Sequence, residues 1–358
     1  MKRRAATKRI AKAPLKAVIL VGGEGTRLRP LTYGIPKPMM PVLNRPFLEH
    51  TIAYLKQYQV EEVVLAASYL PEVIQEYFGG GTGCGVKLAY TVEDSPLGTA
   101  GAVKNVEHHL DSTFVVLNGD IFTDLDLADM LAFHRRNRAK ATISLTWVDN
   151  PTAFGVVETD NEGRVQRFIE KPSPDQVTSH WINAGIYILE PEVLEHVPAD
   201  SFYMFEKGLF PSLLELGKPV YGYPFSGYWL DMGTADKYLQ LNCDLLRSVV
   251  TSALIGDLGQ DEICCAEGVD IHPSAEIVGP VVIGSGCSIG REVRVTGPVV
   301  LGSDCHIGEA ARIAQAVLWR GVRVDTRATL QGCIIGSETR IGGENQATGG
   351  FYLELSEG

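Results

Sequence analysis

A six-residue repeat of apolar side chains constrains the fold of this chain more than any other feature. Eight aliphatic residues recur at a strict six-residue interval, after which the phase slips by one residue twice. This period is typical of a hexapeptide solenoid, in which each short strand turns one aliphatic side chain into a triangular prism. We therefore predict a solenoid over residues 262–345. The repeat consists of Ile271, Ile277, Ile283, Ile289, Val295, Leu301, Ile307, Ile313, Leu318, Val324, Leu330, Ile335 and Ile341.

The N-terminal part of the chain carries a glycine-rich segment directly after an apolar run. Residues 17–21 predict a buried strand, which leads into Gly-Gly-Glu-Gly-Thr-Arg at residues 22–27. Glycines let backbone N–H groups come close to a polyanion, and Arg27 adds a forked set of donors. Lys37 follows ten residues after Arg27, between two prolines. The segment predicts a phosphate-binding site.

Apolar runs and helical patterns alternate after this segment. They predict helices over 47–58 and 71–78, and strands over 62–67 and 86–91. The order β-loop-α-β-α-β predicts a doubly wound α/β sheet, with ligands beyond the carboxyl ends of its strands. Asp120 follows a buried strand over 114–118, and Asp231 lies in a loop before a helix that starts at 235. Such an Asp caps a helix or binds a ligand, and the spacing alone does not decide which.

A β-rich stretch follows residue 140. We predict that this stretch, with strands over 141–148, 154–158 and 165–170, forms a lid or flap beside the nucleotide half. The strand over 181–189 carries Asn183 and Gly185 in an otherwise apolar run. This interruption predicts either a ligand contact or a β-bulge.

Composition narrows the possible partners. The chain has 358 residues and a net charge of −11, and its basic leader, residues 1–14, adds Lys and Arg without acids. An acidic body argues against a nucleic-acid polymer as partner, and no apolar run is long enough to span a bilayer. The seven cysteines contain no C-x-x-C pair, which is typical of reduced thiols. We expect a cytoplasmic protein with neither nucleic-acid nor membrane partners.

The motifs together resemble the sugar-1-phosphate nucleotidyltransferase family followed by a left-handed parallel β-helix. The resemblance runs from Leu15 to about Gly343. It implies a Rossmann-like mixed, mainly parallel sheet over 15–250, a linker over 251–261, the β-helix over 262–345 and a tail over 346–358. The motifs that carry it, in family order, are GGEGTRLRPLT at 22–32, Lys37-Pro38, LGTAG at 97–101, Asn118-Gly119-Asp120, Glu170-Lys171-Pro172, Asn183-x-Gly185 and Asp231-x-Gly233-Thr234.

The resemblance also implies a reaction and a set of site residues. A sugar-1-phosphate oxygen would attack the α-phosphorus of a nucleoside triphosphate and expel pyrophosphate, so the enzyme would mainly neutralise charge and align the groups. Mg²⁺ would bridge the phosphates. The implied roles are catalysis by Arg27, Lys37 and Lys171, nucleotide binding by Gly22, Gly23, Gly25, Thr26, Glu93, Gly98 and Thr99, sugar binding by Gly155, Glu170 and Asn183, and metal binding by Asp120 and Asp231.

The base and the sugar are harder to read from the sequence. Glu93 stands five residues before Gly98, and the family's corresponding pair faces the base edge. A carboxylate only accepts hydrogen bonds, so it suits the adjacent donors of guanine. The amino-acid sequence around Gly98 also resembles that of mannose-1-phosphate guanylyltransferases. A Glu93 that points into solvent or caps the helix is the competing interpretation. Glucose-1-phosphate thymidylyl-, uridylyl- or adenylyltransferase activity is the alternative function.

Two functions of other classes remain as alternatives. Hexapeptide prisms often carry acyltransferases with a histidine as general base, and His272 and His306 lie in the repeat. A regulatory subunit would bind a nucleotide sugar without turning it over, but the intact set of charged motif residues argues against that. The prism is better suited to assembly, and we expect a homo-oligomer formed through it.

Overall fold

The computed structural model describes residues 15–93, 95–256, 258–259, 261–343 and 345–353. The predicted leader, residues 1–14, lies outside them. Packing divides the described chain into two compact units. The sheet unit comprises residues 15–24 and 51–229, and the coil unit comprises residues 25–50 and 230–353. Packing thus assigns residues 25–50 to the C-terminal unit, although the sequence predicts a domain over 15–250. That predicted boundary stays a prediction.

The helices and the first strands follow the apolar pattern of the sequence. The α-helices are α1 Phe47–Gln57, α2 Pro71–Phe78, α3 Gly98–Asn105, α4 Leu127–Arg136, α5 Phe210–Glu215 and α6 Ala235–Leu246. The strands before residue 250 are β1 Lys16–Leu20, β2 Pro41–Val42, β3 Arg45–Pro46, β4 Glu62–Ala67, β5 Lys87–Val92, β6 Phe114–Asn118, β7 Ile121–Thr123, β8 Ala141–Trp147, β9 Gly155–Thr159, β10 Val165–Glu170, β11 Trp181–Leu189, β12 Val220–Pro224 and β13 Trp229–Asp231.

A mixed, mainly parallel sheet forms the core of the sheet unit. Its strand order is β10-β9-β11-β6-β1-β4-β5, with β8 paired to β11 and β12 paired to β8. β1 is parallel to β4 and β6, and β4 is parallel to β5. Val18 and Ile19 of β1 are fully buried, as expected for a parallel strand covered on both faces. The carboxyl ends of these four strands define one edge, which we call the ligand edge. The predicted fold class is confirmed.

The hairpin predicted as a lid continues this sheet. β10 is antiparallel to β9, and β9 joins β11 through the pair Ile182 and Val156. The prediction of a lid or flap is therefore wrong, because β8, β9 and β10 belong to the same sheet as β1. The bulge predicted in β11 is confirmed, since its register with β8 shifts between Asn183 and Tyr187.

The repeat forms three ladders of stacked parallel strands. The ladder that contains Ile271 continues through Ile289, Ile307, Val324 and Ile341. Stacked partners are 18 residues apart up to Ile307 and 17 apart beyond it, which accounts for the slips in phase. The left-handed winding stays a prediction. The strands are β14 Ile263–Cys265, β15 Asp270–Ile271, β16 Glu276–Val278, β17 Val281–Ile283, β18 Ser288–Ile289, β19 Arg294–Leu301, β20 His306–Ile307, β21 Arg312–Leu318, β22 Arg323–Val324, β23 Thr329–Gln331, β24 Ile334–Ile335, β25 Arg340–Ile341, β26 Gln346–Thr348 and β27 Phe351–Tyr352.

One face of the stacked strands is apolar and covered. Helix α6 packs against β19 and β21, where Val300 and Val317 are buried. β26 and β27 extend two ladders into the predicted tail of residues 346–358. In the described part of the chain, no helix has the length and apolar character needed to cross a bilayer.

Candidate active site

The glycine-rich segment begins at the ligand edge, directly after β1. The hydroxyl of Ser68 donates to the carbonyl oxygen of Gly22 at 2.6 Å. A Cβ at Gly22 would lie 2.6 Å from the Ser68 Oγ, so this close approach requires glycine. A Cβ at Gly23 would meet no described atom within 4 Å. The structure therefore fixes Gly22 by packing and leaves space around Gly23.

The rest of the segment folds in the coil unit, around Lys37. Gly25 has a φ of +61°, which favours glycine, and its carbonyl oxygen accepts a hydrogen bond from the Thr32 hydroxyl at 3.0 Å. A Cβ at Gly25 would lie 3.4 Å from the Cβ of Lys37. Thr26 opens a short 3₁₀-helix, Thr26–Leu28, that carries Arg27. The local fold thus brings the backbone of Gly25 next to the catalytic candidate Lys37.

Lys37, Asp231 and Arg27 lie together in the coil unit. The Lys37 Nζ is 3.8 Å from the Asp231 Oδ1, and the two side chains are only 9% and 15% exposed. Gly233 makes room for them, because a Cβ there would lie 2.9 Å from the Arg27 Nη2 and 3.0 Å from the Asp231 Oδ1. Asp231 ends β13 rather than lying in a loop as predicted. Two cations beside one carboxylate suit a phosphate chain better than a neutral ligand.

Glu93 holds the loop that leads into α3. Its Oε2 accepts a hydrogen bond from the backbone N–H of Leu97 at 3.0 Å. Burial raises the pKa of the Glu93 carboxyl, and this hydrogen bond acts in the opposite direction. This hydrogen bond reaches Leu97, the residue before α3, so Glu93 holds the loop, and the capping interpretation stays a prediction. The contact with guanine stays a prediction.

A chain of hydrogen bonds connects the start of α3 with the bulge in β11. The Thr99 hydroxyl donates to the Glu206 Oε2 at 3.1 Å, and the Tyr187 hydroxyl donates to the Glu206 Oε1 at 3.4 Å. The Asn183 Nδ2 donates to the Tyr187 hydroxyl at 2.8 Å, and the Asn183 Oδ1 accepts from the N–H of Gly185 at 2.9 Å. Thr99 and Asn183, predicted for different substrates, are therefore coupled through Glu206.

Glu206 is the residue that sequence reasoning missed. It lies in a π-helical turn, Phe205–Leu209, between buried Phe205 and Leu209. The feature of the sequence that could have indicated it is a charged residue inside an otherwise apolar helical stretch. Such a residue is easily taken for a solvent-exposed position, and only the tertiary fold brings it to Thr99 and Tyr187.

Gly155, Glu170 and Lys171 lie where β9 meets β10. Gly155 is paired with Glu170, and a Cβ at Gly155 would lie 2.9 Å from the Glu170 Oε2. Burial raises the pKa of the Glu170 carboxyl, and the charge of Glu206 raises it further. The Lys171 Nζ is 3.9 Å from the Glu170 Oε1, but the Lys171 side chain is 67% exposed. Because the Lys171 side chain is mostly exposed, its ion pair with Glu170 contributes little to stability. The same exposure leaves the ammonium accessible to an anion.

Asp120 is held at the ligand edge by the glycine before it. The N–H of Gly119 donates to the carbonyl oxygen of Leu20 at 2.9 Å, and a Cβ at Gly119 would lie 2.5 Å from that oxygen. Glycine therefore ties the turn after β6 to the end of β1. Among the described residues, no three His, Cys, Asp or Glu side chains cluster as a metal centre. A metal bound here would need phosphate or water oxygens besides carboxylates.

The histidines of the repeat lie in exposed positions. The His306 Nδ1 is 2.6 Å from the Ser288 Oγ, and the His272 Nδ1 is 2.9 Å from the Ser274 Oγ. Both contacts are local to the turns or to neighbouring strands. They do not favour the acyltransferase alternative.

Comparison with known proteins gives the family. The family model "Nucleotidyl transferase" matches residues 16–248, and the model "GMPPB C-terminal domain" matches residues 277–350. The chain is 42% identical over 280 residues to a mannose-1-phosphate guanylyltransferase of Mycobacterium tuberculosis, covering 76% of each chain. It is 35% identical over 297 residues to a UTP–glucose-1-phosphate uridylyltransferase of Synechocystis, covering 75% of this chain and 74% of the relative.

Solved structures agree with the sequence relatives. The chain is similar to HddC from Yersinia pseudotuberculosis complexed with GMP-PN, with 29% identity and a TM-score of 0.56. The match covers 64% of this chain and 98% of the other. Enzymes of this family generally use a divalent metal. With its ligand edge, its glycine-rich segment and its family match over more than half its length, the chain belongs to the nucleotidyltransferase family of enzymes.

Proposed function

We propose that this protein joins GTP to mannose 1-phosphate and releases GDP-mannose and pyrophosphate. The observation that carries the reaction class is the cluster of Arg27, Lys37 and Asp231, where two cations face one carboxylate. The nucleotide and the sugar are supported by the higher identity to the guanylyltransferase, 42%, than to the uridylyltransferase, 35%. A preference for UTP or dTTP with glucose 1-phosphate is the alternative.

The proposed reaction is a single displacement at phosphorus. A phosphate oxygen of mannose 1-phosphate forms a bond to the α-phosphorus of GTP, and the bond from that phosphorus to the oxygen bridging the α- and β-phosphates breaks. The bonding electrons leave with pyrophosphate. Attacker and target are both anions, so Lys37 and Arg27 lower the repulsion along the triphosphate, and Lys171 holds the sugar phosphate. The amides near Gly22, Gly23, Gly25 and Thr26 provide further donors.

Mg²⁺ is the metal that we propose for this site. Carboxylate oxygens are the protein ligands that Mg²⁺ prefers, and Asp231 supplies a largely buried one next to two cations. Asp120 and Asp231 would hold the ion together with phosphate oxygens. When bound, Mg²⁺ supplies charge neutralisation for the triphosphate and the departing pyrophosphate. That the two carboxylates share one ion is part of the proposal.

Glu93 and Gly98 are proposed to face the base. One Glu93 oxygen is used by Leu97, and no hydrogen bond of the other oxygen is found within the described part of the chain. That oxygen is suited to a donor on guanine. Gly98 has a φ of +70°, and a Cβ there would lie 2.7 Å from the carbonyl oxygen of Tyr203, so its role includes close packing.

The sugar is proposed to contact Gly155, Glu170 and Asn183. Glu170 offers a half-buried carboxylate whose pKa is raised by burial. Hydroxyl groups of a hexose are donors that such a carboxylate accepts. Asn183 is connected to Thr99 through Glu206 by hydrogen bonds. A sugar bound at Asn183 would therefore also affect the position of Thr99 at the start of α3.

The test is a matrix of initial rates. GTP, dTTP, UTP and ATP are each paired with mannose 1-phosphate and glucose 1-phosphate, and pyrophosphate release is measured in Mg²⁺. We expect the highest kcat/KM for GTP with mannose 1-phosphate, and no turnover for Lys37→Ala. A higher kcat/KM for dTTP or UTP with glucose 1-phosphate would overturn the proposed substrates.

Assembly and location complete the proposal. We propose a homo-oligomer that forms through the stacked strands, since their ends and flat faces favour self-association. Light scattering on the full chain would test it, and a monomer at micromolar concentration would reject it. Cytoplasmic location and the lack of nucleic-acid and membrane partners stay predictions.

A further inference from the structure

The backbone after Lys37 is connected to it by a short series of hydrogen bonds. Lys37 opens a 3₁₀-helix, Lys37–Met39, and its carbonyl oxygen accepts from the N–H of Met40 at 3.1 Å. The carbonyl oxygen of Met40 accepts from the N–H of Phe47 at 3.0 Å. Between them, β2 and β3 form a hairpin over residues 41–46. A displacement of this hairpin would therefore displace Lys37.

Helix α6 holds the hairpin by two side chains one turn apart. The Tyr238 hydroxyl donates to the carbonyl oxygen of Pro41, and the Asn242 Oδ1 accepts from the N–H of Leu43 at 3.0 Å. The Asn242 Nδ2 donates in turn to the carbonyl oxygen of Tyr238 at 2.9 Å. Because Tyr238 and Asn242 are both 0% exposed, these bonds are shielded from water.

The stacked strands hold Tyr238 in turn. Trp319, directly after β21, donates from its Nε1 to the Tyr238 hydroxyl oxygen at 2.9 Å and is only 6% exposed. The two rings meet edge to face, with centroids 6.3 Å apart. A second contact runs from the Asn44 Nδ2, in the hairpin turn, to the carbonyl oxygen of Leu301 at 2.8 Å. The repeat thus reaches the hairpin at two points.

We propose that Trp319 and Tyr238 are positioning residues for Lys37, so that the stacked strands set the position of the ammonium used in nucleotidyl transfer. The relay runs from the Trp319 N–H to the Tyr238 hydroxyl, from that hydroxyl to the Pro41 carbonyl, and along the backbone to Lys37. This inference rests on the proposed role of Lys37 at the phosphates. It gives the repeat a function within a single chain, in addition to any role in assembly.

The relay explains why both side chains are polar aromatics in an apolar interface. A Phe at 238 would keep the ring packing but leave the Pro41 carbonyl and the Trp319 N–H without their partner. Burial raises the pKa of the Tyr238 hydroxyl, which therefore stays protonated and remains a donor to Pro41. An ammonium that acts on a charged transition state loses much of its effect when it is displaced by about 1 Å.

The test compares matched Tyr→Phe variants in the full-length protein. Tyr238→Phe removes the relay, Trp319→Phe removes only its first donor, and Tyr58→Phe is the control. Tyr58 is also buried, and its hydroxyl also donates to a backbone carbonyl, that of Leu125 at 3.1 Å. For Tyr238→Phe we expect kcat to fall at least about tenfold, with KM values for both substrates within about threefold.

The control and the double variant separate positioning from stability. Tyr58→Phe is expected to lower the melting temperature without changing kcat by more than about twofold, and Trp319→Phe to lower kcat less than Tyr238→Phe does. Because both act on one relay, Trp319→Phe with Tyr238→Phe is expected to be no slower than Tyr238→Phe alone. If Tyr238→Phe does not fold, the kcat and KM of Trp319→Phe are compared with those of the Tyr58→Phe control instead.

Two outcomes overturn the inference while leaving the proposed function intact. One is a kcat for Tyr238→Phe, or for Trp319→Phe if Tyr238→Phe does not fold, within about twofold of the Tyr58→Phe control. The other is a loss that lies wholly in KM, since a positioning role acts on the transition state. A wild-type protein that turns over no sugar 1-phosphate with any nucleotide instead overturns the proposed function, and with it the inference.

Discussion

Protonation of His50 is expected to destabilise the coil unit between pH 6.5 and pH 4. Its Nε2 is 3.0 Å from the carbonyl oxygen of Val42, and its Nδ1 is 2.6 Å from the Ser252 Oγ. Since a carbonyl only accepts, Nε2 carries the proton and Nδ1 accepts from the Ser252 hydroxyl. Burial lowers the pKa of His50 from 6.5 to about 4, although the Val42 carbonyl and the charge of Glu49 act in the opposite direction.

The magnitude follows from the difference between the folded and unfolded states. In the unfolded chain His50 binds a proton near pH 6.5, whereas in the folded protein it does so only near pH 4. Folding is therefore stabilised above pH 6.5, and this contribution is lost as the pH falls through that window. At about 1.4 kcal/mol for each factor of ten in proton affinity, the loss is about 3 kcal/mol.

The assay is urea unfolding at several pH values for the wild-type protein and for His50→Asn. His306→Asn, which changes an exposed histidine, is the control. We expect the free energy of unfolding of the wild type to fall by about 3 kcal/mol more than that of His50→Asn between pH 6.5 and pH 4. His306→Asn should follow the wild type. Parallel curves for the wild type and His50→Asn would show that His50 does not cause this loss of stability.

Three further predictions concern the site. Arg27→Ala should lower kcat/KM for every nucleotide alike, because Arg27 meets charge and not the base; a change confined to base preference in steady-state assays would contradict this role. Gly119→Ala places a Cβ 2.5 Å from the Leu20 carbonyl oxygen, so thermal unfolding should show a loss of about 1–3 kcal/mol in stability and the activity should fall. Gly80→Ala, whose Cβ would meet no described atom within 4 Å, should be near neutral. Glu206→Gln removes a charge that raises the pKa of Glu170. When kcat/KM for the sugar 1-phosphate is measured against pH, the acidic limb of the profile should therefore move to lower pH. An unmoved limb would show that Glu170 does not take part in sugar binding.

The sequence predicts the parts of this fold that depend on local pattern. The bounds of β4 and β6 coincide with their apolar runs, and the six-residue period accounts for the ladder through Ile271. These features are readable because one face or both faces of each strand must be apolar. The site motifs are readable for a similar reason, since glycines such as Gly25 mark positive φ or close approach.

Long-range packing is what the sequence does not reveal. Nothing in residues 41–46 indicates that the hairpin is held by Tyr238, almost 200 positions later, or that Trp319 holds Tyr238. Glu206 is hidden in the same way, because its partners Thr99 and Tyr187 come from other elements. Such contacts depend on how elements pack, and no local spacing encodes them.

A competition between nucleotides is the sharpest test of the proposed substrates and of the role of Lys37. The purified protein is given mannose 1-phosphate, Mg²⁺ and an equimolar mixture of GTP, dTTP, UTP and ATP, and the nucleotide sugars formed at low conversion are quantified by mass spectrometry. We expect GDP-mannose to be the main product and Lys37→Ala to form none of the four nucleotide sugars. A product mixture dominated by a UDP-, dTDP- or ADP-sugar, or unchanged synthesis by Lys37→Ala, would contradict this expectation.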